Sequence, residues 1–209
     1  MIIPSDKSPD YRADLETLKV DGWKVRAAQK FQAVKDVRYY LEGFVLKQDG
    51  RICATNGHCM FVCPIERPPV RDIIIKIIGK VPASAVTVEF EFTSEVGGIA
   101  RCVNGRLETK DVHLFEVIDG KFPDIDRVIP STEARARSKE VEPPMPAFNI
   151  EYIVKCRDAI KAPRHYPTVI FEPQLGELGK GDSRNEPLVV QPTSIPFSEC
   201  MFIIMPCRV

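Results

Sequence analysis

The chain reads as an α+β fold in which helices lie on one face of antiparallel sheets. Three observations predict it. A segment of helical periodicity is followed by several short strands, and this grammar recurs about three times along 209 residues. The stretch Ala85 to Thr93, AVTVEFEFT, alternates apolar and polar side chains as a half-buried strand does. The dipeptides Gly97-Gly98 and Asn104-Gly105 fall between strand-like runs, where hairpin turns are expected.

From the N-terminus, residues 1–20 are polar with Pro4 and Pro9, and read as an irregular lead-in. Asp14 to Val20 fits a short strand or a turn of helix. From Lys24 to Val37, Val25, Ala28, Phe31 and Val34 recur every three residues, an amphipathic helix. Asp36 to Val62 then reads as two strands around a tight turn at Gln48-Asp49-Gly50. The polar tetrad Thr55-Asn56-Gly57-His58 interrupts the second strand, and a glycine there predicts a bulge or a close approach by another group. Pro64, Pro68 and Pro69 make a connector. The apolar run Val70 to Ile78 fits either a helix or a buried strand. Ile99 to Val103 and Val112 to Ile118 read as strands, and Phe122-Pro123 opens an extended exit ending at Pro130. Residues 131–146 are charged and then proline-rich, the composition of a linker. Helical spacing returns from Phe148 to Ile160. Thr168 to Phe171, Leu188 to Gln191 and Cys200 to Met205 read as strands, with a glycine-rich loop at Gln174 to Asn185.

Composition excludes several functions. No apolar run approaches the roughly 20 residues of a membrane span, and the N-terminus lacks the pattern of a secretion signal. The seven cysteines contain no CxxC pair, and several sit in apolar runs, which fits a reducing cytoplasm. Cys53, His58, Cys59 and Cys63 cluster, but without the spacing of a zinc site, and no metal is expected. No nucleophile–base constellation, P-loop or dinucleotide fingerprint is present, so neither an enzyme nor a cofactor is expected.

Net charge is zero, yet it is unevenly spread. Three segments that look helical are basic: Lys24 to Arg38 at +4, Arg67 to Lys80 at +3 and Glu151 to Arg164 at +2. Basic helices on acidic sheets suit a protein whose helices face a phosphate backbone. The plain alternative is that Lys and Arg simply favour exposed helix faces.

Four motifs, in order, carry a family resemblance. The stretch DVRYYLEG…ATNGH, then VIDGKFPD with Val128-Ile129-Pro130, then Phe148-Asn149-Ile150-Glu151-Tyr152-Ile153, then FIIMPCRV at the end, resemble the bacterial DNA polymerase III beta sliding clamp family. The first two resemble its middle domain (about 21–130) and the last two the second half of its C-terminal domain (about 147–209). Nothing in the chain matches the family's first domain. The resemblance implies a DNA clamp fold with basic helices on one face. It also implies a processivity or tethering factor that works with double-stranded DNA, with polymerase and clamp-loader peptides, and as a homo-oligomer. A decoy that binds clamp partners without encircling DNA is the other reading.

Carried over residue by residue, the family's peptide pocket falls on Leu41, Thr55, Gly57, His58, Met60, Pro130, Ile203, Met205 and Pro206. Cys59 replaces the family's Arg, Asn56 its Asp and Met60 its Leu; Cys207 and Val209 replace a Met and a Leu. Without the resemblance these would be read as core residues. Arg38, Tyr39 and Tyr40 match a loop near the clamp's central hole. Together with Lys24, Arg26, Lys30, Lys35, Arg71, Lys76, Lys155 and Lys161 they form the expected DNA-facing set.

Overall fold

A computed structural model describes residues 17–141, 147–160, 168–174 and 186–206. Its frame is one antiparallel sheet of eleven strands, in the order β1-β6-β7-β8-β5-β2-β3-β4-β11-β10-β9. The strands are β1 (Leu18–Asp21), β2 (Phe44–Leu46), β3 (Arg51–Thr55), β4 (Cys59–Pro64), β5 (Ile73–Ile78) and β6 (Thr87–Ser94), then β7 (Gly97–Val103), β8 (Thr109–Val117), β9 (Val169–Pro173), β10 (Leu188–Pro192) and β11 (Met201–Ile204). The helices are α1 (Gly22–Phe31), α2 (Thr132–Val141) and α3 (Ile150–Ala159).

The central strands are buried on both faces, and alternation sorts their side chains. Phe44, Leu46, Ile52, Ala54, Phe61, Cys63, Ile75, Leu188, Val190, Phe202 and Ile204 point to the larger core, which α1 enters with Val25, Ala28 and Phe31 and α3 with Cys156 and Ala159. Val45, Cys53, Met60, Val62, Ile74, Val189 and Ile203 point the other way. They are covered by Tyr40, Ile118, Phe122, Ile125, Val128 and Ile129. Strands β6 to β8 bury one face only; Leu114 and Val112 lie outward and exposed.

β4 and β11 join the two regions that the sequence reads as separate. They pair through Met201↔Val62, Phe202↔Phe61, Ile203↔Met60 and Ile204↔Cys59. Above this seam Phe31, Phe61 and Phe202 form a trio with ring centroids 5.3–6.0 Å apart. Trp23, the single tryptophan, meets Phe197 edge-on at 5.0 Å on the same side.

Several expectations need correction. The run 67–80 is not a helix: Ile73–Ile78 is a central strand between β2 and β8. β-branched isoleucines favour the pleated backbone, and burial on both faces removes the polar alternation that would have marked a strand. The first helix stops at Phe31 rather than running to 37. Lys35 turns the chain at φ 54, and Val34 and Val37 are left exposed. The tetrad 55–58 is not a bulge within one strand but the turn between β3 and β4. Gly97 and Gly98 lie in β7 beside the turn, not in it. The segment expected to be a linker contains α2, which lies against β9 through Arg135 and Lys139 paired to the buried Glu172 at 2.6 and 3.1 Å. Leu18–Asp21 settles the early ambiguity as an edge strand on β6. The irregular lead-in over 1–16 and most of the glycine-rich loop lie outside the described residues.

Phe202 is fully buried across the β4–β11 seam. Phe202→Ala is expected to cost roughly 3–5 kcal/mol, the usual range for deleting a buried phenyl ring. Urea unfolding followed by Trp23 fluorescence measures it. A loss below about 1 kcal/mol, the scale of a surface change, would contradict the seam's place in the core.

Candidate functional site

The β3–β4 turn is built from its own polar side chains. The Thr55 hydroxyl donates to the Cys59 carbonyl at 2.9 Å and accepts from Gly57 N–H at 3.0 Å. Asn56 Oδ1 accepts from the His58 and Cys59 amides, each at 3.0 Å, an Asx turn. Gly57 sits at φ 87, and a Cβ there would come within 2.8 Å of Arg38 Nη1, so glycine answers both the backbone and the close approach. The His58 carbonyl accepts from the Met205 amide at 2.9 Å, which ties the end of β11 to the turn.

This tie closes one side of a cavity of about 220 Å³. Leu41 enters from a 3₁₀ turn at Tyr39–Glu42. Thr55, Gly57, His58, Cys59 and Met60 come from the β3–β4 turn, Ile203 and Met205 from β11 and the residue after it. The opposite wall is Pro123, Asp124, Ile125 and Val128, with Arg38 and Tyr40 at the edge. The volume lies below the roughly 300–1,000 Å³ of small-molecule sites, and suits a few apolar side chains of a peptide. A wider cleft of about 760 Å³ adjoins it, sharing Pro123 and Asp124 and lined by charges of both signs, among them Lys47, Asp72, Lys121 and Arg127.

The wall at 123–128 is irregular backbone, and polar contacts fix it. Arg51 holds Asp126 through both carboxylate oxygens at 2.7 and 3.0 Å, and also bonds Asp49. Both carboxyls are held below their usual range by these Arg51 hydrogen bonds. The Tyr39 hydroxyl donates to the Asp119 carbonyl at 2.9 Å. Together they seat Ile125, 2% exposed, against the sheet. At the pocket edge Arg38 bonds Asp36 through Nε and Nη2 at 3.0 and 2.8 Å. These hydrogen bonds bring the Asp36 carboxyl down to about 2. Cys59 is buried, and burial pushes its thiol up to about 11, so it stays neutral.

Of the residues carried over to the pocket, Leu41, Thr55, Gly57, His58, Met60, Ile203 and Met205 line this cavity. Pro130 and Pro206, both partly exposed, do not. The sequence reading missed the wall of Pro123, Asp124, Ile125 and Val128. Its signal lay in the VIDGKFPD motif, but an irregular segment has no periodicity to say which side chains turn inward.

The expected DNA-facing set does not gather on one face. Lys24 is 6% exposed and its ammonium is paired at 2.7 Å with Asp21, whose side chain is half-exposed, so the lysine is turned into the fold and not presented on a face. Arg26 donates to the carbonyls of Pro82 and Ala85, both at 2.9 Å. Lys76 lies on β5 with the alternation of Ile74, on the sheet face away from α1 and α3, paired to Glu42 at 2.7 Å. Arg71 lines the wider cleft. Tyr39 is bonded to Asp119, and Tyr40 packs under the pocket. Lys30 and Lys35 are exposed, Lys155 is partly exposed on α3, and Lys161 lies outside the described residues. Cys53 and Cys63 point to opposite faces of the sheet, and among the described residues no three His, Cys, Asp or Glu side chains converge as metal ligands.

The Asp36–Arg38 pair has a testable pH limit. A depressed carboxyl contributes above its unfolded value near 3.9 and loses that contribution as pH falls towards 2. A carboxyl ¹³C titration should therefore place Asp36 near 2 in the native protein and return it to the ordinary range in Arg38→Ala. A wild-type midpoint near 3.9 would mean that the pair does not form.

No family model matches the chain. Its sequence is 33% identical to the beta sliding clamp of Pseudomonas aeruginosa over 106 residues, which are 47% of this chain and 28% of that protein. It is 30% identical to the beta sliding clamp of Escherichia coli K12 over 115 residues, 51% of this chain and 30% of that protein. The matched stretch is thus less than a third of the relatives' own length. Among solved structures, the beta sliding clamp of C. crescentus aligns over 99% of this chain and 69% of its own, with a TM-score of 0.58 and 20% identity. The P. aeruginosa sliding clamp aligns over 92% and 66%, with a TM-score of 0.55 and 18% identity. The chain is therefore beta-sliding-clamp-like: it has the sliding-clamp fold over nearly all its length and a sequence related to the beta sliding clamps over about half of it.

Proposed function

We propose that the chain is a non-enzymatic, clamp-like tether that holds replication or repair proteins through a short peptide with apolar anchors. The observation that carries this reading is the 220 Å³ cavity. Its apolar walls come from the first and last parts of the chain, and seven of the nine residues that the family motif assigns to a peptide pocket line it. A groove with apolar walls and a few fixed polar groups favours anchor recognition over chemistry. In this reading the chain associates with double-stranded DNA by charge rather than sequence, and several copies assemble around it.

One observation favours the second reading, a partner-binding decoy or adaptor that does not encircle DNA. Lys24, Arg26 and Lys76 are engaged within the fold. Three of the cations expected to face DNA are thus already engaged.

Met205→Ala or His58→Ala should weaken binding of a fluorescein-labelled clamp-binding peptide by about 1–3 kcal/mol, the range of interface anchors, measured by fluorescence anisotropy. Absence of any peptide binding by the wild type would remove the pocket reading. For the DNA role, the tether reading expects retention on duplex DNA that falls steeply with salt and is weakened by Lys30→Glu with Lys35→Glu. It also expects a single closed multimer by light scattering. A monomer with salt-independent or absent retention favours the decoy.

A further inference from the structure

We propose that α2 closes the groove beyond Ile203, so that the chain takes only partner segments whose apolar anchors end there, and that Glu172 is the positioning residue that fixes α2 in place. The inference rests on the peptide-pocket reading and adds a length limit to it.

The pocket lies at one end of a row of side chains that crosses the sheet. Met60 is paired with Ile203, Ile203 with Val189 and Val189 with Glu172, so the four project from the same face of β4, β11, β10 and β9. Met60 and Ile203 line the cavity. Val189 is fully buried and Glu172 is 7% exposed, and neither lines it. Over that far end of the row lies α2. Arg135 donates to Glu172 Oε2 from Nε and Nη2, at 2.8 and 2.6 Å. The same Nη2 reaches Gln191 Oε1 on β10 at 3.5 Å. Lys139 meets Glu172 Oε1 at 3.1 Å. The Arg135 guanidinium thus spans β9 and β10 on the pocket face, where a segment running on from Ile203 would have to lie.

Charge and a short tether place α2 there. Of its described side chains, Ala134 and Ser138 are the buried ones, and two such small groups bury little apolar area. A helix of 10 residues is marginal by itself in water, so its position needs another source. Glu172 supplies it. A carboxylate this far from water is costly without its cations, so the helix and the buried carboxylate hold each other. The tether is the end of the pocket wall. The Ser131 hydroxyl accepts from the Ala134 amide at 3.2 Å and the Ser131 carbonyl from the Arg135 amide at 2.9 Å, so α2 starts directly after the wall and has no slack to lie elsewhere.

The test uses the whole chain and fluorescein-labelled peptides with Leu and Phe anchors. Short peptides carry the anchors alone; long ones add one further Leu, in one set before the anchors and in another after them. The wild type should bind short and long peptides alike. Arg135→Ala with Lys139→Ala should raise amide hydrogen exchange across 132–141 and tighten one long set roughly 5- to 20-fold, the scale of one further buried leucine less its ordering cost, with the short peptide unchanged. Glu172→Gln, which leaves no charge buried, should move both readouts the same way, and Trp23 fluorescence checks that each variant is folded. If the wild type already prefers a long peptide, the groove is open past Ile203 and the inference is overturned. It is also overturned if exchange across 132–141 stays as slow in both variants as in the wild type, or if it rises and no long peptide gains. In these cases binding of the short peptide leaves the pocket reading standing. If no peptide binds the wild type or either variant, the pocket reading falls and this inference falls with it.

Discussion

Everything at the candidate site depends on the pairing of β4 with β11. Side-chain direction alternates along a strand, so the register Ile203↔Met60 puts both on the pocket face and sends their neighbours Phe202 and Phe61 to the helix face. A slip by one residue would exchange these sets and place a phenyl ring where the cavity opens. The trio of Phe31, Phe61 and Phe202 makes such a slip costly, because it has to empty the centre of the larger core. The hydrogen bond from Met205 to the His58 carbonyl then follows from the register and needs no further device. The same pairing that completes the core thus also completes the site.

The two faces of the sheet are secured by different means. On the face of α1 and α3, regular helices supply apolar stripes, and burial is the main specification of the arrangement. On the other face the cover is the irregular stretch from Ile118 to Ile129. Irregular backbone has no repeating hydrogen-bond ladder to hold it, so named contacts must do so. Arg51 with Asp126, and Tyr39 with the Asp119 carbonyl, fill that part. An opening forms where this cover ends. A wall fixed by side-chain contacts rather than by a packed helix also leaves Ile125 and Val128 accessible from the cavity.

What the sequence revealed and what it hid follow from these two regimes. Alternation exposed β6, and the three-residue recurrence of Val25, Ala28 and Phe31 exposed α1. The end of α1 was illegible, because Val34 continues the apolar spacing although the backbone is already extended at Gln32. Ile73–Ile78 was ambiguous because burial on both faces erases the period that separates a strand from a helix. Residues 132–141 carry many charges and only small apolar groups, so α2 looked like a linker; its docking to β9 rests on the Glu172 ion pairs, which no local pattern announces. At the site, the turn residues 55–58 and the chain end were legible as motifs. The wall at 123–128 was not.

The charge reading shows most clearly where composition misleads. Net charge by segment counted Lys24, Arg26 and Lys76 alongside Lys30, Lys35 and Lys155. The fold treats them differently. Lys24 and Lys76 each meet a carboxylate at 2.7 Å, and Arg26 closes carbonyls at the start of α1's contact with the 82–85 loop. Such cations hold the molecule together, and the fields of the two lysines are largely spent on their carboxylates. A cation matters to an external ligand when its counter-charge is missing from the chain itself. Segment totals cannot identify such a residue, because a carboxylate that neutralises a lysine often comes from a distant strand, as Glu42 does for Lys76. Only the three-dimensional arrangement separates charges that are already balanced from those that still need a counter-charge.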